Sequence, residues 1–332
     1  SISQALYITP RFTMKPLLPL YITAIIFAGC TEKPQADKAE IERFDSIVAR
    51  YNAMDAADRA AFRNKYPDAT LFITKGDTVN ADSVIEAYSR SNALTMFGKD
   101  VNERLTMTDS LETILGEMKT SFSEKLPDIK WKRIIGVIST YNQSVILTDG
   151  ALLLGLNHYL GSDYGAYSYF EPYQRSVKTP RHLPYDVAEA LISDRFPFLP
   201  GNESTLLNRT LYEGAVLAAV NDIVPGNDIA ESMGYDSDAW KWLSKNEKPM
   251  WNALIDREML FSMDPAIADR MTRPAPATSI LHPDAPGRAA RYIGYKIVES
   301  YRKRHPEKTL QWLLSPEFYN SPTALIDSQY TP

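Results

Sequence analysis

LLLGLNHYLGSDYGAYSYFEPY, Leu152 to Tyr173, is the stretch on which the fold turns. An apolar run carrying Gly155 leads through Leu160-Gly161-Ser162-Asp163, a turn signal, into a segment with a tyrosine at almost every second or third position. Apolar run, glycine turn and aromatic, proline-containing loop together predict a core strand leading onto a surface cleft. Just upstream, Trp131 to Thr140 (WKRIIGVIST) and Ser144 to Thr148 (SVILT) are rich in β-branched residues. Asp149-Gly150 is a tight-turn dipeptide, and Ala151 to Tyr159 continues as the next strand. These are three strands of one small sheet, the last two a hairpin.

Helical patterns flank this sheet on both sides. Residues 39–52 place Ile41, Phe44, Ile47 and Val48 at helical spacing, which predicts an amphipathic helix. Helices are also predicted over 56–64, over 82–96 with Asn80 or Asp82 as cap, and over 102–124. The last buries a stripe of Leu105, Met107, Leu111, Ile114, Leu115 and Met118. The part from 39 to 128 therefore reads as all-helical. Beyond the tyrosine loop, helices are predicted over 184–195, over the mostly apolar 206–221, over 237–262 with a break at Pro249, over 288–304 and over 309–314. Residues 273–287 hold four prolines and must be a loop. Trp240 and Trp251 fall eleven residues apart, nearly one helical face, as core residues or as a ligand-stacking pair. A few strands among many helices give an α+β class, mainly helical. The parts 39–128 and 129–332 are expected to pack as one domain.

The chain has 332 residues, with 36 basic and 41 acidic side chains. A net charge of −5 offers no electrostatic footprint for nucleic acid. One cysteine excludes an internal disulfide framework and a cysteine zinc site. That cysteine, Cys30, follows a secretory signal: Met14-Lys15-Pro16, then an apolar run of about a dozen residues ending in small ones. The run is shorter than the roughly 20 apolar residues needed to span a bilayer. Phe27-Ala28-Gly29-Cys30 resembles a bacterial lipobox, so residues 14–29 are expected to be removed and Cys30 to carry lipid. Residues 1–13 then lie upstream of the natural start, and residues 30–38 are a polar tether. Several acyl chains give stable anchoring, where one alone is marginal. Thr31 in place of an aspartate favours the outer membrane, by resemblance to bacterial lipoproteins.

Catalytic motifs are mostly missing. His158, His182, His282 and His305 include no pair at helical i, i+4 spacing. There is no H-E-x-x-H, no glycine-rich phosphate loop and no G-x-S-x-G elbow. The order strand, loop, helix with Glu189, then a helix with Tyr212-Glu213-Gly214 follows that of gluzincin-type zinc peptidases. On that template Ala188-Glu189-Ala190-Leu191-Ile192 replaces H-E-x-x-H, so both histidine ligands are gone. No metal and no other cofactor is expected, apart from the covalent lipid.

The chain resembles the gliding-motility lipoprotein B (GldB-type) family of Bacteroidota. The resemblance rests on Leu152 to Gln174, on LYEGAVLAAVNDIVP (Leu211 to Pro225), on AWKWLSKNEKPMWNALIDREMLFSMD (Ala239 to Asp264), on APGRAARYIGYKIVESYRK (Ala285 to Lys303) and on the lipobox. That family looks like a degenerate relative of predicted zinc peptidases with a zincin-like core. Of their pattern, Glu213-Gly214 and Pro286-Gly287-Arg288 remain here. The resemblance implies an outer-membrane lipoprotein, on the periplasmic or the exterior face, with envelope proteins as partners and a non-catalytic role in envelope assembly, secretion or motility-linked machinery. A vestigial cleft would gather His158, Glu189, Tyr212, Glu213, Arg288 and Tyr292. Arg288 would hold a carboxylate there or form a salt bridge to Glu213 or a nearby aspartate. Two other readings stay open: a zinc peptidase with atypical ligands such as Glu213 with His158 or His182, and a peptide- or glycan-binding lipoprotein using Tyr164, Tyr167, Tyr169 and Tyr173.

Overall fold

A computed structural model describes residues 37–332. The signal segment, Cys30 and most of the tether lie outside the described residues. The sheet has four strands: β1 (Ile41–Glu42), β2 (Arg133–Val137), β3 (Val145–Leu147) and β4 (Ala151–Gly155), in the order β1-β2-β4-β3. β1 and β4 both run parallel to β2, while β3 is antiparallel to β4. β4 is buried along its whole length, because it has a neighbour on each edge; β3 is the half-buried edge. The Asp149-Gly150 turn closes the β3–β4 hairpin, with Thr148 N donating to Ala151 O at 2.9 Å.

The N-terminal part contributes α1 (Phe44–Val48), α2 (Ala56–Lys65), α3 (Pro67–Thr74), α4 (Ala81–Ser89), α5 (Asn92–Arg104) and α6 (Thr108–Lys125). It is not all-helical, which corrects the sequence reading. Ile41 pairs with Ile134, so the predicted helix over 39–52 begins instead as the strand β1. A β-branched residue beside an open sheet edge gains more from pairing than from a marginal helical turn. The predicted helix over 82–96 is two helices. Ser91 breaks it by capping α5, its side chain accepting from Leu94 N at 3.2 Å. α6 starts only at Thr108, so Met107 falls in the preceding turn and is 49% exposed rather than part of the buried stripe.

The C-terminal part adds α7 (Pro172–Ser176), α8 (Leu183–Arg195), α9 (Leu206–Ile223), α10 (Ile229–Met233), α11 (Ser237–Lys245), α12 (Glu247–Asp256) and α13 (Pro265–Thr272). It ends with α14 (Ala289–Arg304), α15 (Leu310–Leu313), α16 (Pro316–Tyr319) and α17 (Ala324–Ser328). The expected helix over 237–262 breaks at Asn246, not at Pro249. Pro249 sits in the first turn of α12, where a missing amide donor costs little. Trp240 and Trp251 therefore lie on different helices. They pack edge-on against Tyr292 and Tyr330, with ring centroids 5.5 and 5.0 Å away.

α9 is the centre of the core, and buried residues from Ala39 to Ala324 join one continuous apolar cluster. Fourteen of the eighteen α9 residues are buried, which is why its sequence is apolar all round and not on one stripe. Each large aliphatic side chain buried there contributes about 1.5–3 kcal/mol. α9 crosses α14 where Gly214 meets Gly294. A Cβ on Gly214 would lie 2.2 Å from the Gly294 carbonyl, so the two backbones approach as only glycines allow.

Candidate functional site

A cleft of about 700 Å³ opens between the segment around α7, the start of α8, the α10–α11 turn and the loop before α14. Three basic side chains line it: Lys178, His182 and Arg288.

Lys178 is held by aromatics. It is buried, and its Nζ lies 4.7, 5.3 and 5.5 Å from the ring centroids of Phe170, Tyr141 and Tyr167. The Nζ also reaches His158 Nδ1 at 3.3 Å. His158 Nε2 lies 2.9 Å from Thr140 O, and an N–H there leaves Nδ1 free to accept from Lys178. Burial, and then the Lys178 charge, push the His158 imidazole down to about 4, so it stays neutral. Burial also lowers the Lys178 amine, opposed by the negative charge of Asp186. Lys178 forms no ion pair among the described residues.

His182 opens α8 and lies between two carboxylates. Its Nε2 is 3.4 Å from Asp186 and its Nδ1 3.2 Å from Glu231. Burial alone would lower this imidazole, but the two acids outweigh it and lift it to about 9. Asp186 also accepts from Tyr159 OH at 2.7 Å. Burial opposes its charge, yet His182 and Tyr159 hold its carboxyl below the usual range. Both ring nitrogens of His182 are engaged, so neither is free to take a proton from a nucleophile.

Arg288 precedes α14 in a left-handed conformation, φ 63°, uncommon for a side chain of this size. Its neighbours hold it there. Thr278 Oγ1 donates to Pro286 O and Tyr235 OH donates to Gly287 O, each at 2.7 Å, and Ala289 N donates to Thr278 Oγ1 at 3.0 Å. Its Nε has no hydrogen-bond partner, and the side chain forms no ion pair among the described residues. The salt bridge expected between Arg288 and Glu213 is made by another arginine. Arg291, one turn further on, has Nε 3.0 Å from Glu213 Oε2 and Nη2 2.8 Å from Glu189 Oε1. Glu213 Oε1 also meets Arg209 Nη2 at 2.6 Å. Burial, followed by the neighbouring Arg291 charge, lowers the Arg288 guanidinium.

The six residues expected in one cleft are dispersed. Arg288 lines it and His158 stands behind Lys178. Glu189 and Glu213 belong to the Arg291 ion-pair cluster. Tyr212 OH donates to Phe196 O, and Tyr292 OH to Glu247. The four loop tyrosines also divide. Tyr164 and Tyr167 are buried, bonded to Asp100 and to the Asn157 carbonyl. Tyr169 is 68% exposed on top of Phe170, and Tyr173 lines the cleft.

The donor set does not fit zinc. Ala188 and Ile192 are buried and apolar, the two glutamates are bound to arginines, and among the described residues no three His, Cys, Asp or Glu side chains are grouped to hold a metal ion. Lys178, Asp186 and Arg291 were not singled out in the sequence. His182 and Asp186 at i, i+4 were a readable signal. So was Arg291, three residues before Gly294 and seven before Val298, on the buried stripe of α14.

The family model described as gliding motility protein GldB matches residues 30–332. The chain belongs to this family. The GldB family's name marks it as one of gliding-motility-associated lipoproteins of the cell envelope. No curated protein and no solved structure matches the chain. Among the described residues, no helix is long and apolar enough to cross a membrane.

Proposed function

We propose that this GldB-family protein is tethered to the outer membrane by lipid on Cys30 and acts without catalysis, in envelope assembly, secretion or motility-linked machinery, with other envelope proteins as partners. Its fold is a degenerate zincin-like scaffold whose former active-site region now serves stability and binding. The observation that carries this reading is the Arg291 cluster. Glu189 and Glu213, the carboxylates that a zincin would turn on metal and water, neutralise a buried guanidinium instead. Two further observations support it. His182 has a carboxylate at each ring nitrogen, and the family match begins at Cys30, the residue expected to become the mature N-terminus.

Lipidation tests the anchor directly. Cells expressing the full chain are fed labelled palmitate, and membranes are then fractionated. The intact protein is expected to carry label and to sediment with the outer membrane. Cys30→Ser is expected to lose both. Label retained by Cys30→Ser would overturn the anchor.

A further inference from the structure

We propose that the cleft binds the C-terminal end of a peptide, its terminal carboxylate held between Lys178 and Arg288 and its basic groups set against the acidic rim. This deepens the reading of the cleft as a binding surface and rests on it.

Charge balance inside the cleft carries the inference. Of the three cations lining it, His182 is compensated by Asp186 and Glu231. Lys178 and Arg288 form no ion pair among the described residues. Lys178 is buried and feels the Asp186 charge only at longer range, and Arg288 is half-buried with its Nε closed to solvent. A charge taken out of water is stable only when paired and hydrogen-bonded. The aromatic rings around Lys178 compensate it in part and His158 Nδ1 accepts one ammonium proton, but the other ammonium protons have no acceptor among the described residues. Arg288 offers a planar fork suited to a carboxylate, with its Nε unpartnered. The backbone that aims it is held by three hydrogen bonds, from Thr278 Oγ1, Tyr235 OH and Ala289 N. The N-terminus of the sixteen-residue α14 adds its positive end at the same place.

The rim selects among anions. Glu171, Asp236, Asp238 and Asp284 line the cleft and are exposed. Four carboxylates at the mouth repel a polyanion such as a nucleotide and attract a ligand that is cationic away from its one carboxylate. A peptide ending in a free carboxylate, with lysine or arginine shortly before it, has that distribution. Phe170, Tyr173, Tyr235 and Pro276 supply walls for its side chains. The volume of about 700 Å³ lies within the range of small-ligand sites, roughly 300–1,000 Å³.

The test probes the full-length protein in detergent on an array of immobilised pentapeptides with free C-termini, beside the same sequences amidated. Bound sequences are expected to be rich in Lys and Arg before the terminus and to bind at least ten-fold better as acids than as amides. Arg288→Gln and Lys178→Met are each expected to lose at least ten-fold. Thermal melting checks that each variant folds, and the acid-to-amide ratio of the unaltered protein decides the matter even if one does not. Equal binding to both arrays, no bound peptide, or displacement by inorganic phosphate at concentrations comparable to the peptide would overturn the proposal. Palmitate labelling of Cys30 is independent of all three, so failure here is distinguishable from failure of the anchor.

Discussion

Arg291 on α14 lies with its Nε 3.0 Å from Glu213 Oε2 on α9, and both side chains are almost closed to solvent. The same guanidinium reaches Glu189 on α8, so one buried cation ties three helices together. Removing it leaves Glu189 without an ion pair and the buried Glu213 with Arg209 alone. Arg291→Met is expected to lose about 3–5 kcal/mol of folding stability, the usual cost of breaking a buried pair from one side. Glu189→Gln, on the more exposed partner, should lose roughly 1 kcal/mol or less. Urea melts of the two variants check the ordering; equal losses would mean the cluster is a surface feature.

The α9–α14 crossing makes a second prediction. Gly214→Ala forces a methyl group into the Gly294 carbonyl, and the expected loss is at least about 1–3 kcal/mol. Gly98 is the control. It lies inside α5 with open space where a Cβ would go, so Gly98→Ala should gain about 0.5–1 kcal/mol. Opposite shifts in the denaturation midpoint are the expected result.

His182 sets an alkaline limit on stability. Its folded value of about 9 lies above the ordinary imidazole value of 6.5, raised by Asp186 and Glu231 against the opposing effect of burial. The same two acids also face cations, Glu231 pairing with Arg181 and Asp186 feeling the Arg288 charge. The contribution is fully present below pH 6.5 and is lost as pH rises through about 9. Its size is on the order of 3 kcal/mol. Urea midpoints taken from pH 6 to 10 should fall across that window in the unaltered protein. In His182→Gln they should start lower and stay flat.

His158 limits stability on the acid side. Its folded value of about 4 lies below 6.5, so its contribution is present above pH 6.5 and disappears as pH falls through about 4. Burial causes the shift and Lys178 adds to it. Lys178→Met is therefore expected to move the acid-unfolding midpoint downward relative to a neutral surface control. NMR titration of the imidazole reads the same change directly. An unshifted His158 in that variant would show that the Lys178 charge is not felt.

Much of this architecture was legible in the sequence because it follows from local pattern. The β3–β4 hairpin announces itself through Asp149-Gly150 between β-branched runs, and α9 through its continuous apolar sequence. β1 was not legible, since two residues that pair with a strand some 90 positions away carry no local signature. Ser91 was missed as a cap because the apolar spacing runs straight through it. The site was harder still. Arg288 was readable from Pro286-Gly287-Arg288, but which arginine would take Glu213 depended on the α9–α14 crossing. Lys178 lies in a loop, and its aromatic surroundings come from Tyr141, Tyr167 and Phe170, residues that only the fold brings together.

Zinc content tests the central claim most directly. The protein, purified without chelators, is dialysed against zinc chloride, then against metal-free buffer, and its metal is measured by elemental analysis. A scaffold whose glutamates serve Arg291 is predicted to retain far less than one zinc per chain. One tightly held zinc per chain, lost in Glu213→Gln, would contradict the non-catalytic account and return the protein to the peptidases.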